Sequence, residues 1–167
     1  MQCRLFAVSE CAAHFSNQRL NSDENHQLML RRLKALGLDV HKVIFEVVEH
    51  QSDNDKTLAL AAAKSLSSGF QIAIDDFGVN ASREDRVKAI RPNILKVDRS
   101  LLEFYMDGDE KWLLHSIDVA KNVNAKVLVE GIETEEQFEA MFDLNIDYFQ
   151  GFHLGEPKHM SEYCKRK

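Results

Sequence analysis

The sequence predicts an α/β fold of about six parallel strands alternating with helices. Three observations carry this reading. Short β-branched runs recur along the chain. A stretch of helical length and amphipathic pattern separates most runs from the next. The chain has only 7 Gly and 2 Pro in 167 residues, too few for a linker or low-complexity segment. Strands that alternate with helices build βα units, and βα units build a parallel sheet. Residues 1–167 are therefore read as a single domain.

Taken in order, Glu10 to Phe15 is a weak first strand. Asp23 to Leu36 carries Leu30, Leu33 and Leu36 at helical spacing, with Gly37 just past the end as a C-cap. Val43 to Val48 is β-branched and reads as a buried strand. Asp53 to Leu66 is an Ala/Leu-rich helix followed by Gly69. Phe70 to Asp75 is the next strand, and Ser82 to Ile90 a short helix stopped by Pro92. Ile94 to Asp98 is a strand. Asp109 to Val123 is a helix with Trp112, Ser116, Ile117, Ala120 and Val123 along one side. Ala125 to Glu130 is a strand, and Thr134 to Phe142 a helix opened by the capping-box pattern Thr134-x-x-Gln137. Asp147 to Gly151 is a weaker last strand.

Composition narrows the function classes. Apolar residues make up 44% and charged residues 29%, the balance of a water-soluble globular domain. No stretch approaches the roughly 18 uninterrupted apolar residues of a membrane helix, and Met1-Gln2-Cys3-Arg4 opens no signal-peptide pattern. Cys3, Cys11 and Cys164 are an odd number without C-x-x-C spacing, which suits a reducing, cytoplasmic setting. Lys and Arg number 21 against 27 Asp and Glu, a net charge of −6. That argues against a non-specific DNA or membrane binder, since either needs a positive face.

In parallel βα folds the site lies at the C-terminal ends of the strands. Those ends carry Glu46 and Glu49, Asp75 and Asp76, Lys96 and Asp98, Glu130 and Glu133, and Gln150. One Asp after a strand is ordinarily a turn or helix cap, which suits Asp98 before Arg99-Ser100. The set is different: carboxylates converging on one rim repel and raise each other's pKa unless a cation neutralises them. Hard oxygen ligands suit Mg²⁺, Mn²⁺ or Ca²⁺. Adjacent Asp75 and Asp76 can serve two ions about 3.5–4 Å apart, the usual device for in-line displacement at phosphorus. Lys96 either holds the attacking water or compensates charge at the phosphate, or forms a salt bridge to Glu46 or Asp76; both readings stay open.

At these residues the chain resembles the EAL family of bacterial cyclic di-GMP phosphodiesterases and receptors. Phe45-Glu46-Val47-Val48-Glu49 resembles E-[IL]-T-E, and Ile74-Asp75-Asp76-Phe77-Gly78 resembles D-D-F-G. Ile94-Leu95-Lys96-Val97-Asp98 resembles I-K-[IV]-D, and Val129-Glu130-Gly131-Ile132-Glu133-Thr134 resembles A-E-G-[VI]-E-T. Phe149-Gln150-Gly151-Phe152 resembles the terminal Q-G-[YF], with Pro157 following. The match runs from about Ala13 to Pro157, in five ordered motifs. The resemblance implies a TIM-type (β/α) barrel and a two-metal site for Mg²⁺ or Mn²⁺. It implies Glu46 and Asp75 as ligands of one ion, Asp75 and Asp76 of the second, and Lys96 and Glu130 as the residues that position and activate water. Glu49 resembles the residue that anchors the loop after D-D-F-G; Glu133 and Gln150 resemble groups on the metal and substrate side. The implied reaction is hydrolysis of cyclic di-GMP to pGpG.

Three departures shape the expectation. The tripeptide Glu-Ala-Leu is absent from the sequence, so the chain reads as an incomplete barrel that lacks the first strands and one metal-ligating glutamate. The Asn of the family's N-x-S motif falls on His14 if Ser16 and Leu20 are aligned with the family's Ser and Leu, the preferred alignment, or on Ala7 if Ala7-Val8-Ser9 is aligned with an insertion. His14 reads either as a neutral core histidine or as a metal ligand, and imidazole suits Zn²⁺ or Mn²⁺ better than Mg²⁺. Val79 to Asp85 replaces T-G-Y-S-S, the segment that couples dimerisation to metal geometry in the family. Turnover is therefore expected to be impaired in this chain, the alternative being an inactive EAL-like module that acts as a nucleotide receptor or protein-interaction domain in signalling. Closed parallel barrels usually need about 200–250 residues, so the sheet is expected to stay open. A homodimer is the expected remedy, through an exposed sheet edge or the loop after Asp76.

Overall fold

The computed structural model describes residues 11–14, 23–47, 55–78 and 84–156. One parallel sheet runs in the order β1 to β6: Cys11–His14, Val43–Val47, Gln71–Phe77, Ile94–Val97, Lys126–Val129 and Tyr148–Phe149. The helices are α1 (Asp23–Ala35), α2 (Asp55–Ser67), α3 (Glu84–Ile90), α4 (Arg99–Met106), α5 (Lys111–Asn122) and α6 (Glu135–Asp143). Strands neighbouring in sequence are neighbours in the sheet, and all five pairings are parallel. That is the serial winding of a (β/α) barrel. β1 and β6 are the outer strands, and no pairing joins them among the described residues.

Alternation along each strand sorts the side chains between two faces. Phe45, Val47, Ile72, Ile74, Leu95, Val97, Val127, Val129 and Phe149 meet Leu58, Val87, Leu113, Ile117 and Met141 of the helices in the main core. The intervening positions Ile44, Ala73, Ile94 and Leu128 form a separate buried cluster with Tyr148 against it. Both faces are buried, so the strands read as nearly continuous apolar runs. The second face is the one that matters for chemistry. Two residues beyond Ile44, Ala73, Ile94, Leu128 and Tyr148, at the C-terminal end of each strand, come Glu46, Asp75, Lys96, Glu130 and Gln150.

The expected elements are present with ends shifted by at most two residues. The part of the expected α2 before Asp55, and Ser82 and Arg83 ahead of α3, lie outside the described residues. The capping box of α6 is formed: Gln137 N–H donates to Thr134 Oγ1 at 3.2 Å, and Gln137 Oε1 accepts from Thr134 N–H at 3.1 Å. Asp98 is a cap, its Oδ1 accepting from Ser100 N–H at 2.9 Å. It starts α4, a helix absent from the sequence reading. Leu101 and Leu102 bury against the core and tie the helix down.

Candidate active site

The site is built where β2, β3, β4 and β5 end. Lys96 Nζ lies 2.6 Å from Asp75 Oδ1, 2.8 Å from Glu130 Oε1 and 3.1 Å from Glu46 Oε1. Its side chain is only 8% exposed. The ammonium has three N–H donors, and three carboxylates from three other strands surround it. Burial alone disfavours the charged amine, but the hydrogen bonds to Asp75 and Glu130 outweigh it and hold the Lys96 pKa above the ordinary lysine value. The group is a fixed cation.

Asp75 and Asp76 reach the same mouth because the strand is irregular there. Ile74 pairs with Leu95 and Phe77 with Val97, so two aspartates stand against the single residue Lys96. This is a bulge. In a regular strand, neighbours point to opposite faces; here Asp76 adopts φ +55, a left-handed conformation that Asp tolerates better than most residues. Asp75, Asp76 and Glu130 offer oxygens that all lie within 4.8 Å of one another. Partial desolvation, then the charges of Asp75 and Asp98, raise the Asp76 carboxyl above its usual range. Burial chiefly raises Glu130, opposed by Lys96 and reinforced by Asp75 and Asp76. Crowded, partly desolvated oxygens of like charge are what a hard divalent cation relieves, so the donor set fits Mg²⁺, Mn²⁺ or Ca²⁺.

The remaining candidate residues divide. The backbone of His14 ends β1 in register with Glu46. Gln150 and Glu133 do not contact Lys96; they line an adjoining cavity of about 320 Å³ with Arg99, Glu130, Gly131, Gly151, Phe152 and Gly155. Glu133 is held by a fork of two hydrogen bonds from Arg99, whose Nη2 lies 3.2 Å from Glu133 Oε2. Gly151 is obligatory, since a Cβ there would overlap the backbone of Ile132. That close approach lets Ile132 N–H donate to Gln150 O at 3.0 Å and fixes the cavity floor. Glu49 and residues 79–83 of the loop after Gly78 lie outside the described residues.

Of the two readings left open for Lys96, the salt bridge to Glu46 or Asp76 is met at Glu46, and Asp75 and Glu130 are further partners. Arg99 was missed altogether. The available signal was its place one residue beyond Asp98, on the first turn of a helix launched from a strand end.

The description "EAL domain" fits residues 1–157 as a family model. MucR of Pseudomonas aeruginosa, a bifunctional diguanylate cyclase/cyclic di-GMP phosphodiesterase, is 32% identical over 154 residues, 90% of this chain and 22% of its own length. The crystal structure of Bacillus subtilis YkuI, an EAL-domain protein in complex with cyclic di-GMP and calcium, matches with TM-score 0.76 and 27% identity over 89% of this chain and 38% of that one. The EAL domain of Mycobacterium smegmatis DcpA matches with TM-score 0.82 and 26% identity over 92% of this chain and 70% of that one. The chain spans 17% to 35% of the lengths of the curated relatives it matches. A serial parallel sheet, carboxylates gathered around one lysine at its C-terminal rim, and a family match over nearly the whole sequence agree: the chain belongs to the EAL domain family.

Proposed function

We propose that the chain carries the catalytic face of a metal-dependent phosphodiesterase that hydrolyses cyclic di-GMP to pGpG. The carrying observation is Lys96, buried and hydrogen-bonded among Glu46, Asp75 and Glu130 at the ends of separate strands. Relatives named as cyclic di-GMP phosphodiesterases and a neighbour crystallised with cyclic di-GMP support the substrate class.

Asp75, Asp76 and Glu46 would hold the divalent ions, Mg²⁺ or Mn²⁺, with His14 the candidate ligand from β1. Bound ions supply positive charge against the phosphoryl oxygens as the diester is displaced in line. Lys96, whose three N–H groups are directed at carboxylates, positions the water through Asp75 and Glu130 and adds a fixed charge beside the phosphate. Glu130, at the same mouth, is the base that takes the proton from that water. Gln150 and Glu133 line the cavity that takes the rest of the substrate, and Glu49 anchors the loop after Asp76.

Turnover by these residues alone is proposed to be slow, because the sequence contains no Glu-Ala-Leu glutamate and two-metal chemistry depends on a full ligand set. His14 in register with Glu46, where the family has Asn, favours a second reading: nucleotide binding without turnover, or pairing with a signalling partner. The outer strands β1 and β6 offer edges through which two copies would pair. Incubation with cyclic di-GMP and Mn²⁺, followed by chromatography for pGpG, separates the readings. Product formation lost in Glu130→Gln supports hydrolysis. Calcium-supported binding without product supports the receptor. No binding by calorimetry overturns both nucleotide readings.

A further inference from the structure

We infer that Lys96 is a built-in counter-cation that loosens divalent ion binding at this site, so that the ion exchanges freely instead of becoming a permanent part of the fold. The inference rests on the metal-site reading above and goes beyond it. Lys96 Nζ sits at 2.6, 2.8 and 3.1 Å from Asp75, Glu130 and Glu46. One oxygen of each of these carboxylates is already engaged by the ammonium. Asp75 and Glu130 are at the same time members of the oxygen group that could take an ion. A unit charge and a double charge held by the same carboxylates repel each other strongly where solvent screening is weak, and the lysine is only 8% exposed.

The same contacts give the site its order before any ion arrives. Without Lys96, four carboxylates at adjacent strand ends would face each other with no internal cation. With it, Asp75, Glu130 and Glu46 are aimed at one point. Two effects therefore oppose: the lysine orients ligands, which favours binding, and it competes in charge, which disfavours it. Charge wins in this geometry, because Asp75 is also oriented by its strand and the bulge and Glu130 by its strand.

The test is Lys96→Met in the full chain, with Mn²⁺ binding followed by calorimetry and by the electron paramagnetic resonance of the free ion, at pH 8. The variant is expected to bind Mn²⁺ about tenfold or more tightly than the natural sequence. Binding that is equal or weaker overturns the inference alone. Binding by neither protein overturns the metal-site reading and the inference with it. Thermal unfolding gives a second readout should the variant fold poorly. A variant destabilised without ion and restored by Mn²⁺ supports the inference; one that stays unfolded at saturating Mn²⁺ overturns it.

Discussion

Two clusters of cation and carboxylate lie side by side at the rim of the sheet, and they differ in almost every physical respect. Lys96 is 8% exposed and meets three carboxylates from three other strands. Arg99 is 48% exposed and meets Glu103 on its own helix and Glu133 on the loop after β5. Chemically both are salt bridges. The first sits where charges cannot be left alone, since removing one partner strands the others out of water. The second sits in solvent, where each partner can be hydrated and salt screens the attraction. The buried cluster is positioned by strands and a bulge, and the exposed one by side chains that keep their freedom. Chemistry that needs fixed charge belongs to the first, and adjustment of the cavity wall to the second.

The contrast is broken most severely at Lys96. In the absence of divalent ions, Lys96→Met should lower unfolding stability by about 3–5 kcal/mol, the usual cost of stranding buried charge. Chemical denaturation at pH 8 measures it. A loss below about 1 kcal/mol would mean that the carboxylates re-solvate and the cluster is not the fixed array described.

Glu130→Gln comes next, and it separates chemistry from stability. Burial already pushes the Glu130 carboxyl toward its neutral form, and the amide keeps an oxygen to accept from Lys96. Stability should therefore change by less than about 1 kcal/mol, while pGpG formation falls by about 10²-fold or more, the scale of a lost general base. Parallel loss of both would show that Glu130 acts through the fold.

These two residues also mark what the sequence made legible. Period-two alternation places Ile44, Ala73, Ile94 and Leu128 on one face, and simple counting then sends Glu46, Asp75, Lys96 and Glu130 to that face at the strand ends. Counting fails at Asp76, because the bulge that turns it toward Asp75 is a pairing irregularity between β3 and β4. Nothing local to Ile74-Asp75-Asp76 encodes the opposite strand's register. For the same reason it is not legible from the sequence that Asp75, not Asp76, is the aspartate partner of Lys96. Arg99 and Glu133 are 34 positions apart, and their fork depends on α4, a helix the sequence reading did not place. Gly151 was visible within a motif, but the reason for it, contact with Ile132, is tertiary.

A smaller effect tests the buried interior away from the rim. His26 is 1% exposed, and its Nε2 lies 2.8 Å from Ser68 Oγ. Ser68 gives its own proton to Lys64 O at 3.1 Å, so Nε2 is the donor and Nδ1 carries a buried lone pair with no partner among the described residues. Burial holds the His26 pKa below its usual value of 6.5. The unfolded chain therefore takes up a proton first as pH falls through 6.5, and folded stability declines until the lower folded value is passed. Asp76 and Glu130 have raised values and act with the opposite sign: their charged forms cost stability at neutral pH, and that cost is relieved as pH falls through their folded values. The stability owed to His26 should therefore fall between pH 7 and pH 5, as followed by chemical denaturation across that range, and His26→Gln should flatten the decline.

The smallest effect is expected at Arg99, and it sharpens the comparison by its response to salt. Arg99→Ala removes the fork to Glu133 and the bond to Glu103, yet both acids lie at the surface and can be solvated. The melting temperature should move little in low salt and converge with that of the natural sequence in 1 M NaCl, where screening extends only about 3 Å. The Lys96→Met deficit should shrink much less in the same buffer, because a mostly buried cluster is screened less than a surface pair. If the Arg99 deficit also survives 1 M NaCl, then α4 is held to the β5 loop by packing of the guanidinium stem over Gly131, where the side chain already lies against the glycine, and the two clusters would differ in exposure but not in structural weight.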